Sequence, residues 1–286
     1  MTQADDHPMI QAADLDRLKK KAQVLRLHVV NMIGVDHVGH LGGSCSIADV
    51  VTALYFCKMK INPGQPKDPD RDRFLLSKGH AALIQYAALA EAGYFPMEEL
   101  KRVKRLGAAL QGHPDMLKTP GIEANTGSLG QGLSVANGMA LALRLDHSPR
   151  HVYVVLGDGE LAEGQFWEAA MASSFYRLDH LTAILDRNRL QATGPVAERF
   201  NIDQLKEKWL AFGWHVLEID GHDMAQILAA LDQAEAIKGK PTIIIANTVK
   251  GKGISFAENV VSFHNGALTQ KQFDTAIEEL DASARC

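Results

Sequence analysis

The second half of the chain alternates short apolar runs with amphipathic stretches, and this constrains the fold more than any other feature. HVYVVL at 151–156, short, β-branched and aromatic, reads as a buried strand, and LTAILD at 181–186, WHVLEID at 214–220 and PTIIIANTV at 241–249 read as further strands. Between them lie stretches of helical spacing, near 164–177, IDQLKEKWLAFG at 202–213 and MAQILAALDQAEAIK at 224–238. Repeated strand–helix–strand units pack as a parallel sheet buried on both faces, with right-handed crossovers. The predicted class is α/β, a doubly wound, mainly parallel sheet with helices on both faces. No linker, repeat or low-complexity tract interrupts 1–286, which therefore reads as a single domain.

The first half is more helical. From Asp14, as a plausible N-cap, DLDRLKKKAQVLRLHVVNMIGV carries apolar residues at helical spacing and breaks at GHLGG, 39–43. Ser44 or Ser46 is expected to cap the next helix, IADVVTALYFCKM, and NPGQPKDPDRD follows as an exposed loop. FLLS at 74–77 reads as a strand ending at KGH, AALIQYAALAEAG as a helix closed by Gly93, and MEELKRVKRL as another helix. Residues 107–130 are rich in Gly, Pro, Thr and Asn, an irregular length more often functional than decorative. They end in TGSLGQG, which opens the helix LSVANGMALALRL, and TQKQFDTAIEELDAS near the end reads as a last helix.

Composition narrows the function classes. With 286 residues and 46% hydrophobic content the chain can bury a large core. A formal net charge of −4, with no basic run interleaved with aromatics, gives no attraction to nucleic acid. The polar, acidic start lacks an apolar leader region and no stretch is long and apolar enough for a membrane span, so a cytoplasmic protein is expected. Cys45, Cys57 and Cys286 are odd in number and lack metal-ligand spacing, which favours small buried or terminal residues over a disulfide framework or zinc site.

The chemistry concentrates at VVLGDGELAEG, 154–164, where an aspartate sits between two glycines at the carboxyl end of a strand. Ligands of open α/β sheets bind at that end. Glycine permits unusual dihedrals or close ligand approach, and a carboxylate with no basic neighbour suits a hard cation or a ribose hydroxyl. Asn188 follows Asp158 by one βαβ crossover, so the ends of two neighbouring strands can bring the carboxylate and the amide oxygen to one cation. Magnesium takes few protein ligands and leaves positions for phosphate and water. The Leu190 carbonyl can be a third ligand, and the Gly159 N–H, near a helix start, can meet a phosphate oxygen.

GDG followed about thirty residues later by Asn resembles the magnesium-diphosphate motif of thiamine diphosphate enzymes. GHLGGSCSIAD, DRFLLSKGHAAL, GHPD with TGSLGQGLSVANGMA, and VKGKGISFAENVVSFHNGALT are similar in order and spacing to the amino-terminal part of transketolases, over nearly the whole chain. The resemblance implies a thiamine diphosphate-binding fold and ketol transfer. It makes Asp158, Asn188 and the Leu190 carbonyl ligands of Mg2+, for which Ca2+ or Mn2+ can substitute, and sets Gly159 on the diphosphate. His80, His264 and Lys250 match diphosphate-side or reaction-side positions, and Gly127 and Leu129 match contacts to the cofactor rings. His40 and His113 match residues that touch sugar hydroxyls and assist proton transfer, and Glu163 a carboxylate linking paired sites across a dimer interface. His28, His147, His151 and His180 lie in no comparable setting and read as ordinary surface or core residues. The chain departs from the family at Leu41, where proline is common, and at Ser128 in TGSLGQG, which the family writes TGPLGQG.

The resemblance stops short of the family's second domain, which carries the glutamate that activates the aminopyrimidine. A split enzyme is therefore implied, this chain giving the diphosphate half and a C-terminal subunit the pyrimidine-binding half, as an α2β2 assembly acting on sugar phosphates. Pentose phosphates, a branched sugar phosphate and a sulfonated sugar all remain open as substrates. The rivals are a 1-deoxyxylulose-5-phosphate synthase-like or 2-oxo acid dehydrogenase α-like subunit, disfavoured by GHPD with FHNGALT, and a noncatalytic cofactor-binding regulatory subunit, disfavoured by the four flanking histidines. A magnesium-dependent phosphohydrolase is poorer, with a single carboxylate at the proposed metal.

Overall fold

A computed structural model of the protein describes residues 12–285, so Cys286 and the chain before Ala12 lie outside the described residues. Five parallel strands form the central sheet: β1 (Arg73–Leu76), β2 (Val152–Gly157), β3 (Leu181–Arg187), β6 (His215–Asp220) and β7 (Thr242–Asn247), in the spatial order β1-β2-β3-β7-β6. The two-residue strands β4 (Leu190–Gln191) and β5 (Gly194–Pro195) make a small antiparallel ladder after β3. The helices are α1 (Ala12–Ile33), α2 (Leu41–Ser46), α3 (Ala48–Ala53), α4 (Ala82–Glu91), α5 (Gly132–Leu145), α6 (Gly164–Phe175), α7 (Leu205–Ala211), α8 (Met224–Ala236) and α9 (Gln270–Arg285).

Side chains of a strand alternate between faces, and here each face has its own core. Val152, Val154 and Leu156 of β2 join Leu181, Ala183 and Leu185 of β3 and Ile243 and Ile245 of β7 in a core covered by α5, α6 and α7. Tyr153, Val155, Ile184 and Ile244 point the other way, into a larger core built with α1, α3, α4 and α8. That two-faced burial is why these strands read as nearly continuous apolar runs. From β3 the chain passes to the edge strand β6 and returns to β7, so β3 and β7 flank the point where the winding reverses, the usual binding crevice of such sheets.

Several local expectations are corrected. The first helix already includes Ala12, so Asp14 lies in its first turn rather than capping it. GHLGG does not simply break the chain: Leu41–Ser46 is helical, with every residue buried, and small side chains there let α2 pack tightly. Ser44 and Ser46 cap nothing: the Ser44 hydroxyl donates to the His40 carbonyl one turn back, at 2.7 Å, and the Ser46 hydroxyl is directed to Asp186 at 2.7 Å. The helix after Ile47 widens from α into a π turn over Leu54–Lys58. MEELKRVKRL makes only a 3-10 stretch, Met97–Arg102, because Val103 turns extended and Lys104 adopts φ 60°. Cys45 is buried and Cys57 exposed, both as free thiols. No helix among the described residues is long and apolar enough to cross a membrane.

The second core is anchored by aromatic rings. Trp209 is fully buried with its ring centroid 5.6 Å from Phe166, 5.6 Å from Trp167 and 4.9 Å from Trp214. Removing so large a side chain leaves a cavity its rigid neighbours cannot close, so Trp209→Ala is expected to cost about 3–5 kcal/mol in urea unfolding. Leu210→Ala, at an exposed neighbouring position, is expected to stay within about 0.5 kcal/mol.

Candidate active site at the carboxyl ends of the strands

Four adjacent strands deliver polar residues to one rim. β1 runs into Ser77 and Lys78, β2 into Asp158, β3 ends in Asp186 and Arg187 before Asn188, and β7 leads to Thr248 and Lys250. The register sets Gly157 opposite Asp186 and Asn247 opposite Arg187, so the residues just beyond lie level across the sheet.

At the centre is Asp186, fully buried and ion-paired to the equally buried Lys78. The carboxylate also accepts from Ser46 Oγ at 2.7 Å, from Asn188 Nδ2 at 2.8 Å and from the Thr248 hydroxyl. Burial alone would raise its pKa, but the Lys78 ammonium and these donors outweigh that and hold it below the usual carboxylate range. Lys78 Nζ donates in addition to the Gly43 carbonyl at 2.6 Å. Sequence reasoning missed both Lys78 and Asp186; their signal is that each directly follows or closes a short apolar strand.

Asp158 behaves oppositely. It is 2% exposed, and burial first, then the charge of Asp186, push its pKa up to about 7. It accepts from the Arg189 N–H at 2.5 Å, which ties the GDG turn to the loop after β3. Asn188 is buried, its Nδ2 turned to Asp186 and its Oδ1 accepting from the Leu190 N–H at 3.1 Å. The Leu190 carbonyl accepts from Lys250 Nζ at 2.7 Å, and burial, followed by the charge of Lys78, lowers that ammonium's pKa to about 8. Asp158, Asn188 and the Leu190 carbonyl are thus brought together as oxygen donors, with a cationic group already drawn to one of them. A buried carboxylate whose ionisation is opposed by burial and by a second carboxylate is a site that a cation would relieve, so the donor set fits a hard divalent ion. Gly157 and Gly159 do not use left-handed dihedrals, and a Cβ at Gly159 would come no nearer than 3.4 Å to Gln191. The need for unusual backbone is therefore not borne out there, which leaves close approach of a ligand.

Three histidines gather beside this rim. Ring centroids are 5.1 Å apart for His40 and His80, 5.0 Å for His80 and His264, and 5.6 Å for His40 and His264. Burial first, and then nearby lysines and neighbouring histidines, His113 in the case of His40, lower their pKa values to about 4 for His40, about 2 for His80 and about 3 for His264. All three imidazoles are neutral at pH 7, and Nδ1 of His40 and of His264 is buried without a partner, as is Thr126 Oγ1. Such unmet polar atoms around one spot mark a place built for a ligand. His113 is exposed and lies against Gly127: a Cβ there would come 2.6 Å from His113 Cδ2, and Gly127 adopts φ 133°, so only glycine fits. His113 does not stack on the other three rings, and Leu129 is half-buried in the same segment.

Glu163 is exposed at the start of α6, with its side chain lying against Gly130. The residue that binds this region together is Glu160, missed from sequence. Its Oε1 accepts from Ser77 Oγ at 2.6 Å and Gly130 N at 2.9 Å, and its Oε2 from Gly157 N at 2.7 Å. The segments SKGH, TGSLGQG and GDG are thereby clasped by one carboxylate. Of the remaining histidines, His151 and His180 stack at 4.8 Å and His28 pairs with Glu91, consistent with structural roles.

Comparison with known proteins agrees with this architecture. Residues 18–283 match the family described as transketolase, thiamine diphosphate binding domain. The 6-deoxy-6-sulfo-D-fructose transketolase subunit SqwG of Clostridium sp. (strain MSTE9) is 50% identical over 92% of this chain and 96% of its own length. One of the apulose-4-phosphate transketolase subunits, from Phocaeicola vulgatus, is 40% identical over 93% of this chain and 94% of its own. Transketolase from Leishmania mexicana superposes with a TM-score of 0.86 at 31% identity, covering 94% of this chain but 44% of that one. Human transketolase is likewise covered over only 42% of its length, at 40% identity. Fold, strand-end residues and both kinds of match converge: the chain belongs to the transketolase family and corresponds to its thiamine diphosphate-binding, amino-terminal part.

Proposed function

We propose that this chain is the diphosphate-side subunit of a two-chain transketolase, which moves a two-carbon ketol unit from a ketose to an aldose when a separate polypeptide supplies the pyrimidine-binding half. The observation that carries this reading is one of length: the chain spans nearly all of relatives named as transketolase subunits, yet under half of the single-chain enzymes. Residues 1–286 are read as one domain, working in the cytoplasm within an α2β2 assembly. The relatives are named for a sulfonated sugar and for a phosphorylated one. A ketose with an anionic far end is accordingly the first donor class to test.

Asp158, Asn188 and the Leu190 carbonyl would hold Mg2+, and Gly159 and Lys250 would meet the diphosphate. Thiamine diphosphate, when bound, supplies the thiazolium that accepts the electron pair released as the carbon–carbon bond breaks. Lys250 would give up the Leu190 carbonyl to the ion and turn its positive end to phosphate oxygen. His80 and His264 are neutral through burial beside Lys78 and Lys250; the negative charge of a diphosphate offsets those lysines and makes the imidazoles better bases. His40 and His113 are assigned to the sugar hydroxyls, where a neutral imidazole can take a proton during cleavage and return it during addition. Gly127 and Leu129 would line the cofactor rings. Glu163, exposed, suits a role at a boundary between chains better than one at the reacting atoms.

In the assembled complex, Asp158→Ala, Asn188→Ala and His264→Ala are each expected to lower ketol transfer at least about 100-fold. Unchanged activity in all three would make this chain a noncatalytic component. A second test needs only the full chain without Mg2+. Because the folded-state pKa of Asp158 is raised from 3.8 to about 7, its ionisation on unfolding removes stability as pH rises through that window. Asp158→Asn should therefore gain thermal stability over the wild type between about pH 4 and pH 7, level off above, and lose part of that advantage when Mg2+ is added.

A further inference from the structure

The turn D-G-H-D, residues 220–223, lies outside every motif so far given a role, yet it abuts the loop that carries Lys250. His222 Nδ1 lies 2.8 Å from Asp49 Oδ2, and the Val249 N–H donates to His222 Nε2 at 2.8 Å. One nitrogen faces a carboxylate and the other faces a donor. Those partners dictate a single tautomer, Nδ1–H with a bare Nε2. Asp49 is itself fixed by the buried Arg26, whose Nη2 donates to its Oδ2 at 2.5 Å, so it stays ionised and its acceptor role is assured.

The turn cannot drift. Asp220 Oδ1 accepts from the His222 N–H at 2.9 Å, Gly221 N donates to the Asn247 carbonyl at 2.8 Å, and Asp223 caps α8 by accepting from Ala225 N at 2.9 Å. On the other side, the Lys250 backbone is held by the Asn259 N–H on its carbonyl at 2.8 Å and by Gly251 N on the Gly42 carbonyl at 3.0 Å. The imidazole fixes the remaining flank, one residue before Lys250.

From this geometry we propose that His222 is a positioning residue: through the Arg26–Asp49–His222 chain it holds the Val249 amide and so sets the Lys250 ammonium at the diphosphate site. The inference rests on the reading above in which Lys250 meets the diphosphate. No proton is transferred and His222 touches no reacting group. Its role is to keep a long, entropically costly lysine side chain rooted at one place, so that less conformational freedom is lost when an anion binds.

Two substitutions divide the imidazole's functions. His222→Asn keeps a donor for Asp49 but cannot reach Val249; His222→Gln keeps an acceptor at the distal position. In the full chain, amide exchange at Val249 is expected to speed up at least about tenfold in His222→Asn and to stay near wild type in His222→Gln. Nitrogen chemical shifts of the wild-type imidazole should report the Nδ1–H tautomer. By calorimetry on the reconstituted two-chain complex, the Kd for thiamine diphosphate with Mg2+ is expected to rise about tenfold in His222→Asn, with rescue in His222→Gln. Unchanged exchange in His222→Asn, or changed exchange with an unchanged Kd while Lys250→Met raises the Kd, overturns the proposal. Lys250→Met is measured in parallel: if it leaves the Kd unaltered while His222→Asn still alters Val249 exchange, the assignment of Lys250 to the diphosphate is wrong and the tether stands.

Discussion

The buried pair of Lys78 and Asp186 is the interaction on which the rim of the sheet depends. Two charges removed from water are expensive, and such a pair persists only where further hydrogen bonds complete it. Here Ser46, Asn188 and Thr248 surround the carboxylate and the Gly43 carbonyl takes up the ammonium. The pair thereby binds together α2, the end of β1, the end of β3 and the segment after β7. Hydrophobic packing could hold those elements near one another, but it has no means to fix the direction of Asn188 or of the chain leading to Lys250.

The same pair also sets the electrostatics around it. Asp186 keeps its charge because its donors surround it, and that charge is part of what keeps Asp158 partly protonated across the rim. Two carboxylates a short way apart are thus driven to opposite protonation behaviour, a division of labour typical of working sites. The histidines follow the same logic from the other side, because lysines at close range and scarce water keep them uncharged. Positive and negative potential alternate over a few residues. A ligand that carries both a divalent ion and phosphate oxygens can satisfy both signs together.

Most of the sheet was legible in the sequence because strands buried on both faces must be short and apolar, and VYVVL, LTAIL and TIIIA leave few alternatives. The positions of Asp158 and Asn188 were legible for a related reason: each lies in the turn just after such a run, and one crossover separates them. Lys78 and Asp186 were not, since their meeting spans 108 positions and depends on strand order, which local pattern does not encode. Glu160 was hidden by its own neighbourhood; an acid in the first turn after GDG looks like an ordinary helix-start residue, and only the folded chain shows three donors converging on it. The GHLGG segment misled because paired glycines oppose helix in isolation, whereas tight packing against neighbouring loops favours it here. The expectations of ketol transfer and of a partner chain came from family resemblance, which left the sugar open, and no periodicity could have supplied them.

The clasp around Glu160 has a topological corollary. Its donors come from 83 positions before it, 30 before it and three before it, so the clasp closes only when distant parts of the chain have already met. Its longest reach, from Ser77, matches the range of the β1–β2 pairing in which Arg73 stands opposite Val152, so the clasp depends on that long-range pairing being in place. A chain with its helices formed but its strand order incomplete would lack the clasp. The clasp is therefore a property of the finished topology, which no local stretch of the chain can form alone.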